Sequence, residues 1–254
     1  MNALTTEIEY PSSDGQPLAE STLQYLWIVM LHGGIEGVLE DNPNAFCAAD
    51  NLIYPVEGRR DICMAPDVYV AYGPAPGHRG SYQVWREGGI FPQVIFAVLS
   101  PSNRAGAMAD KLAFYDEYGA EEYYIYDPER VRLTGYLRGP SGLEEIDEMH
   151  GWVSPRLGIR FDMSGEELVV YAPNGEPFVS YRENRKLRDD AIAKAKENEA
   201  RAKRAEKRAA KVAADAAKSR ADAAKSRADA AKAKAQTALL LAKLRALGID
   251  PDAE

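Results

Sequence analysis

Two aspartates stand where an apolar strand would not be expected to carry them. Asp50 interrupts the run from Phe46 to Pro55, and Asp67 enters the run from Ile62 to Tyr72 just after Pro66. A carboxylate entering a buried strand is costly unless it is paired, hydrogen-bonded or bound to a metal. Converging carboxylates hold hard divalent ions such as Mg²⁺ (or Mn²⁺). Such an ion can generate a hydroxide-like nucleophile and relieve charge on a leaving oxygen, as phosphodiester hydrolysis requires. In the Gly- and Pro-rich stretch from Gly73 to Trp85, Arg79 could reach a phosphate, and Tyr82 or Trp85 could stack on a base. The other reading of these aromatics is that they pin a surface loop to the body. His32, His78 and His150 are isolated, and Cys47 and Cys63 match no zinc or redox spacing, so free thiols in a reducing cytosol are expected.

The elements that must position these residues are legible around Pro92 to Pro128. Val94 to Leu99 is an unbroken apolar run, which predicts a central strand covered on both faces. Ser100-Pro101-Ser102-Asn103 breaks it, and Ser102 or Asn103 can cap a helix. Ala105 to Tyr118 has helical spacing, with Met108, Leu112, Tyr115 and Tyr118 on one side, and Gly119 ends it. Glu122 to Asp127 is aromatic and β-branched, which predicts a second strand. Upstream, residues 1–18 read as an irregular arm and Ala19 to Met30 as a helix with Glu20 in its first turn, where a carboxylate favours the helix dipole. Downstream, residues 131–181 read as short strands and turns that finish the sheet.

The order of an apolar strand, Val-Leu-Ser-Pro-Ser, a helix with Lys111, and Phe114-Tyr115 leading to Tyr118-Gly119 and Glu121-Glu122-Tyr123-Tyr124-Ile125-Tyr126-Asp127-Pro128 resembles the Uma-type endonuclease family. That family is a branch of the PD-(D/E)XK nuclease superfamily. The resemblance covers roughly residues 18–181 and implies an α/β (α+β) fold, a restriction-endonuclease-like mixed sheet flanked by helices. It implies that Pro66-Asp67 is the "PD" motif, with Asp67 the principal metal ligand. It also implies that Lys111, moved from the strand onto the helix after it, positions or deprotonates the attacking water. Asp50 and Glu20 become accessory candidates, Glu20 because the superfamily often places an acid on its first helix near the metal. Arg79, Tyr82 and Arg104 become nucleic-acid-binding candidates. The departure is Ala97, which stands where the family carries an acid, and Ala107 replaces a residue that is often polar. Ala97 reads as the mark of an inactivated variant, of a natural loss of catalysis, or of a site in which Asp50 or Glu20 compensates.

Composition splits the chain in two. Residues 1–181 carry 11 basic and 27 acidic residues, whereas residues 182–247 carry 20 and 9, within an overall charge of −8. An acidic body argues against broad nonspecific nucleic-acid binding, and the basic tail could supply that attraction. Residues 183–247 contain neither Pro nor Gly, which predicts one long helix stopped by Gly248 and Pro251. Its repeat, ADAAKSR from Ala214 and again from Ala221, aligns Ala214, Ala217, Ala221 and Ala224 as an a/d-type seam that ends in leucines. The expected organisation is therefore an arm (1–18), a nuclease-like domain (19–181), a long basic helix of coiled-coil type (182–248) and an acidic end (249–254). Self-association through the helix is one reading of this tail and a solvated charged helix is the other; docking onto a partner protein is a third. DNA is the implied substrate, in a defence or mobile-element setting. Met1 to Gly15 lacks an apolar core for a signal peptide and Leu23 to Leu31 is too short to span a bilayer, so a cytoplasmic protein is expected.

Overall fold

The computed structural model describes residues 9–13, 15, 17–102 and 105–246. In chain order its elements are α1 (Thr22–Leu39), β1 (Ala45–Ala49), β2 (Ile53–Tyr54), β3 (Val68–Tyr72), β4 (Tyr82–Gln83), β5 (Val94–Val98) and α2 (Ala105–Tyr118). They continue with β6 (Glu122–Asp127), β7 (Arg132–Gly139), β8 (Gly142–Glu145), β9 (Arg160–Asp162), β10 (Val169–Tyr171) and α3 (Tyr181–Ala246). The chain divides into two compact units, Met1–Arg185 and Lys186–Glu254.

In the first unit a six-stranded sheet runs in the order β1-β3-β5-β6-β7-β8. All pairings are antiparallel except β5 with β6, which α2 links as a parallel crossover. Every residue of β5 is buried, as its continuous apolar run requires of a strand covered on both faces. Val94, Phe96 and Val98 belong to the core beneath α1, with Trp27, Ile28, Leu31 and Ile35. Ile95 and Ala97 belong to the opposite core beneath α2, with Tyr115, Tyr123, Tyr69 and Ala71. Strand period two thus sorts one pentapeptide between two cores. α2 and β6 occupy the residues that periodicity predicts, and Gly119 (φ 96°) supplies the left-handed residue that ends α2.

Several boundaries differ from the sequence reading. α1 starts later and runs on to Leu39, through Gly33, Gly34 and Gly37. Gly34 is required by packing, because a Cβ there would stand 2.3 Å from the Phe178 ring. Ser21 is the N-cap, its hydroxyl accepting the Gln24 N–H at 3.1 Å, so Glu20 precedes the helix and is not in its first turn. The strand expected from Phe46 to Pro55 is broken at Asp50, whose φ of 50° turns the chain out of the sheet. β2 instead pairs in parallel with β4 as a separate ribbon. The strand expected from Ile62 shrinks to Val68–Tyr72, with Met64 making only an isolated bridge to Ile53. β7 and β8 do finish the main sheet, but β9 and β10 form their own two-stranded ribbon, and Phe161, Leu168 and Val170 pack it onto the α1-side core.

α3 is one helix of 66 residues. Ser180 and Glu183 open it as a reciprocal capping box, the Ser180 hydroxyl accepting the Glu183 N–H at 3.3 Å while the Glu183 carboxylate accepts the Ser180 N–H at 3.0 Å. Gly248 and Pro251, the expected stop, lie outside the described residues.

Sequence inspection did not single out Glu122, the most deeply buried acid among the described residues. Its carboxylate accepts from the Tyr124 hydroxyl at 2.8 Å, the Ser154 hydroxyl at 2.5 Å and the Arg156 N–H at 2.6 Å. These bonds fasten the turn at 154–158 to the first residue of β6. Glu122→Leu strands three donors in a dry site, so a loss of about 2–4 kcal/mol is expected in urea unfolding at neutral pH. A loss below about 1 kcal/mol would show that these bonds do not hold the turn.

Candidate active site

Strand register lines up the residues of interest. Ala49 pairs with Val68, and Val68 pairs with Phe96. One step outward, Asp67 comes level with Ala97, and Ala97 pairs with Ile125 on β6. The row therefore runs from the residue before β3 across β5 to β6. Asp67 follows the parity of Tyr69 and Ala71, and Ala97 that of Ile95, so both sit on the α2 side. The Asp67 carboxylate takes the place of a ladder bond: its Oδ2 accepts the Val98 N–H at 2.6 Å. Asp50, just past the end of β1, leaves the β1–β3 register, its N–H donating to the Pro66 carbonyl at 3.2 Å.

α2 brings Lys111 over this row. Lys111 and Tyr115 are one turn apart, and Tyr115 is fully buried against the sheet, so both project from the inward side of the helix. Burial pushes the Asp67 carboxyl up to about 6, while the Val98 N–H and then the Lys111 ammonium pull it down and the Asp50 charge adds to the rise. Asp50, Asp67 and Lys111 are thus one electrostatic cluster, and Ala97 is the strand neighbour of its central acid. The Tyr115 and Tyr123 rings meet at 5.0 Å in the same packed cluster as Ala97. Burial is the main force raising both phenols, and the Asp67 charge raises them further. Neither hydroxyl has a hydrogen-bond partner among the described residues.

The other candidates are placed differently. Glu20 accepts hydrogen bonds from the Ser100 hydroxyl, at 2.5 Å, and from Ser102, and these bonds lower its pKa. Its own N–H donates to Gln24 Oε1 at 2.9 Å, and Gln24 Nε2 donates to the Val98 carbonyl at 2.8 Å. Glu20 therefore braces the end of β5, and its charge is not among those acting on Asp67. The Arg79 guanidinium is paired with Glu87 at 2.5 Å, with both side chains largely covered, and lies 3.8 Å over the Phe46 ring. Tyr82 is fully buried and its hydroxyl donates to the Ile90 carbonyl at 2.9 Å. In this structure both hold the loop to the body: the Arg79 charge is engaged by Glu87, and the Tyr82 ring is covered, which is the pinning reading of that aromatic. Trp85 packs against Tyr10 at 4.9 Å. Arg104 lies outside the described residues.

Sequence reasoning missed the arginines beside the row. Arg130 and Arg132 line a cleft of about 420 Å³ with Met108 of α2 and Ile125, the strand neighbour of Ala97. Their signal was present, one basic residue in the turn after β6 and one opening β7, but only the pairing of β6 with β5 brings them near Ala97. A cleft of about 560 Å³ lined by Gly33, Gly34 and Phe178 on the α1 side contains none of the row residues.

The raised Asp67 pKa has a stability consequence. An aspartate near 6 in the folded chain and near its ordinary 3.8 when unfolded takes up protons on folding between those values. Stability from this group is therefore highest below about pH 4 and falls as pH rises through 6, by up to about 3 kcal/mol. Asp67→Asn, which can still accept from Val98, is expected to be near neutral at pH 4 and stabilising at pH 8 in urea unfolding. Equal effects at both pH values would contradict the buried charge.

Comparison with known proteins bears on this arrangement. The Uma2 family model, described as "Putative restriction endonuclease", matches residues 29–168. Among solved structures, a crystal structure from Anabaena variabilis ATCC 29413, described as "a putative nuclease belonging to DUF820", is similar at 15% identity with a TM-score of 0.42, covering 54% of this chain and 75% of that one. No curated protein matches. The matched span exceeds half of the chain and contains Asp50, Asp67, Ala97 and Lys111: the chain belongs to the Uma2 restriction-endonuclease family.

Proposed function

We propose that this chain carries a metal-dependent endodeoxyribonuclease core whose catalytic site is one acid short. The observation that carries the reading is the register that sets Asp67 level with Ala97, together with the fields of Lys111 and Asp50 at Asp67. In a completed site Asp67 would be the principal ligand for Mg²⁺ (or Mn²⁺), Asp50 would be the accessory acid, and Lys111 would orient the attacking water. The donor set as it stands does not complete such a site: Ala97 offers no oxygen, and among the described residues no group of three or more His, Cys, Asp or Glu side chains is arranged to hold a metal. What this chain's own residues do is hold a carboxylate against β5 through the Val98 N–H, keep a cation beside it, and exclude water beneath α2. Arg132, in the cleft next to Ile125, offers a contact for a DNA phosphate.

A second reading rests on Ala97 and Ala107 together. The chain is then a non-enzymatic DNA-binding or assembly protein on a degenerate nuclease core, with α3 as its oligomerisation element or its dock for a partner protein. The net charge of +11 over residues 182–247 favours an anionic target for that element. A cytoplasmic setting and a role in defence or in a mobile element rest on family analogy. No helix among the described residues is long and apolar enough to cross a membrane.

Ala97→Glu separates the two readings. With Mg²⁺ it is expected to nick supercoiled plasmid DNA well above the parent chain, to lose that activity on adding Asp67→Ala or Lys111→Ala, and to bind Mg²⁺ roughly tenfold more tightly or better by calorimetry. Continued silence with DNA binding intact supports the non-enzymatic protein.

A further inference from the structure

We infer that α3 is the interface with a second copy of this chain, paired parallel and in register as a two-stranded coiled coil. This deepens the oligomer reading above. α3 is unbroken from Tyr181 to Ala246, so one heptad phase can be traced along it. The alanine seam through Ala214 and Ala217 does not extend: traced upstream in steps of four and three it meets Lys207, Lys203 and Lys196. A different phase does extend. From Ala191 through Val212 and Ser226 to Leu244, alternating steps of four and three meet no charged side chain. On this face Val212 is 68% exposed and Leu240 61%.

The flanking charges specify the occupant. In a parallel pair each g residue faces the e residue five positions later on the other helix. In this phase Lys194 and Arg201 face Glu199 and Glu206 of the second copy, and Asp215, Asp222 and Asp229 face its Arg220, Arg227 and Lys234. Leu187 faces Ile192, and Arg208 and Gln236 meet the uncharged Ala213 and Leu241. No like-charged pair occurs along the seam. The sign of the g residues reverses between Arg208 and Asp215, and that reversal guards the register, since a one-heptad slip sets Arg208 against Arg220. Antiparallel pairing that overlays the seam from Ala191 to Leu244 end to end sets residues 215–222 of one copy against residues 213–220 of the other, so Asp215 and Asp222 meet like charge. A helix evolved only to be solvated, or to lie along a polyanion, has no need of this five-residue alternation of sign. Parallel pairing also joins both first units to the same end of the paired helices, because each enters α3 at Tyr181.

The test uses the full chain and reads mass and cross-linking, not cleavage, so it can fail separately from the nuclease reading. Sedimentation at micromolar concentration is expected to show a dimer. Asp215→Lys, Asp222→Lys and Asp229→Lys together, or Arg220→Glu, Arg227→Glu and Lys234→Glu together, each weaken it by roughly tenfold or more, and mixing the two variants restores it. Because any all-basic and all-acidic pair attracts in either direction, orientation is read separately. Ser226→Cys, in a chain with Cys47→Ala and Cys63→Ala, forms a disulfide with its own counterpart on mild oxidation. A monomeric parent chain, a dimer indifferent to both charge reversals, or a dimer that does not cross-link at position 226 would each overturn the proposal.

Discussion

The first unit depends on how a carboxylate is kept at the edge of a buried strand ladder. Asp67 sits one residue before β3, where the next ladder bond to β5 would fall, and its Oδ2 takes the Val98 N–H in that bond's place. A backbone donor that would otherwise be unsatisfied is paired, and the carboxylate gains a short, charge-assisted hydrogen bond. Burial still outweighs this gain, which is why the group holds its proton more tightly than an ordinary aspartate. The site is therefore poised by opposition: desolvation and Asp50 press toward the neutral form, while Val98 and Lys111 favour the charged one.

Both helices serve that residue. From the α1 side, Gln24 ties the Val98 carbonyl, so Val98 is held at its N–H by Asp67 and at its carbonyl by the first turn of α1. Glu20 and the serines at 100 and 102 extend the brace past the end of β5. From the other side, α2 places Lys111 above the row and seals it with Tyr115. Substitution at position 97 leaves this frame standing, since alanine packs in the α2-side core at 4% exposure. The stability of this frame comes from the two apolar faces of β5, one packed beneath each helix.

The second unit obeys different physics. It buries no core of its own within one chain, and its helix is sustained by alanine, by the capping box at Ser180 and by spaced charges such as Lys203 with Glu199 at 2.6 Å. An acidic first unit beside a basic helix means that the average charge of the chain describes neither part. The family match spans the first unit only, so α3 lies outside what the Uma2 model covers.

Much of this was written in the residues. The unbroken apolar run of β5, the helical spacing of α2 and the proline- and glycine-free tail each determine their element locally, because period and propensity act over a few neighbours. The types Asp67 and Lys111 and the absence of an acid at 97 are likewise plain in the sequence. What the sequence did not disclose depends on partners distant along the chain. The left-handed turn at Asp50 split an expected strand, and Phe178 packing on Gly34 let α1 run through its glycines. Arg79 and Tyr82 read as free for a ligand until Glu87 and Ile90 were seen to engage them. That Asp67 comes level with Ala97 is a matter of register between strands, and register is decided by long-range pairing that no local pattern encodes.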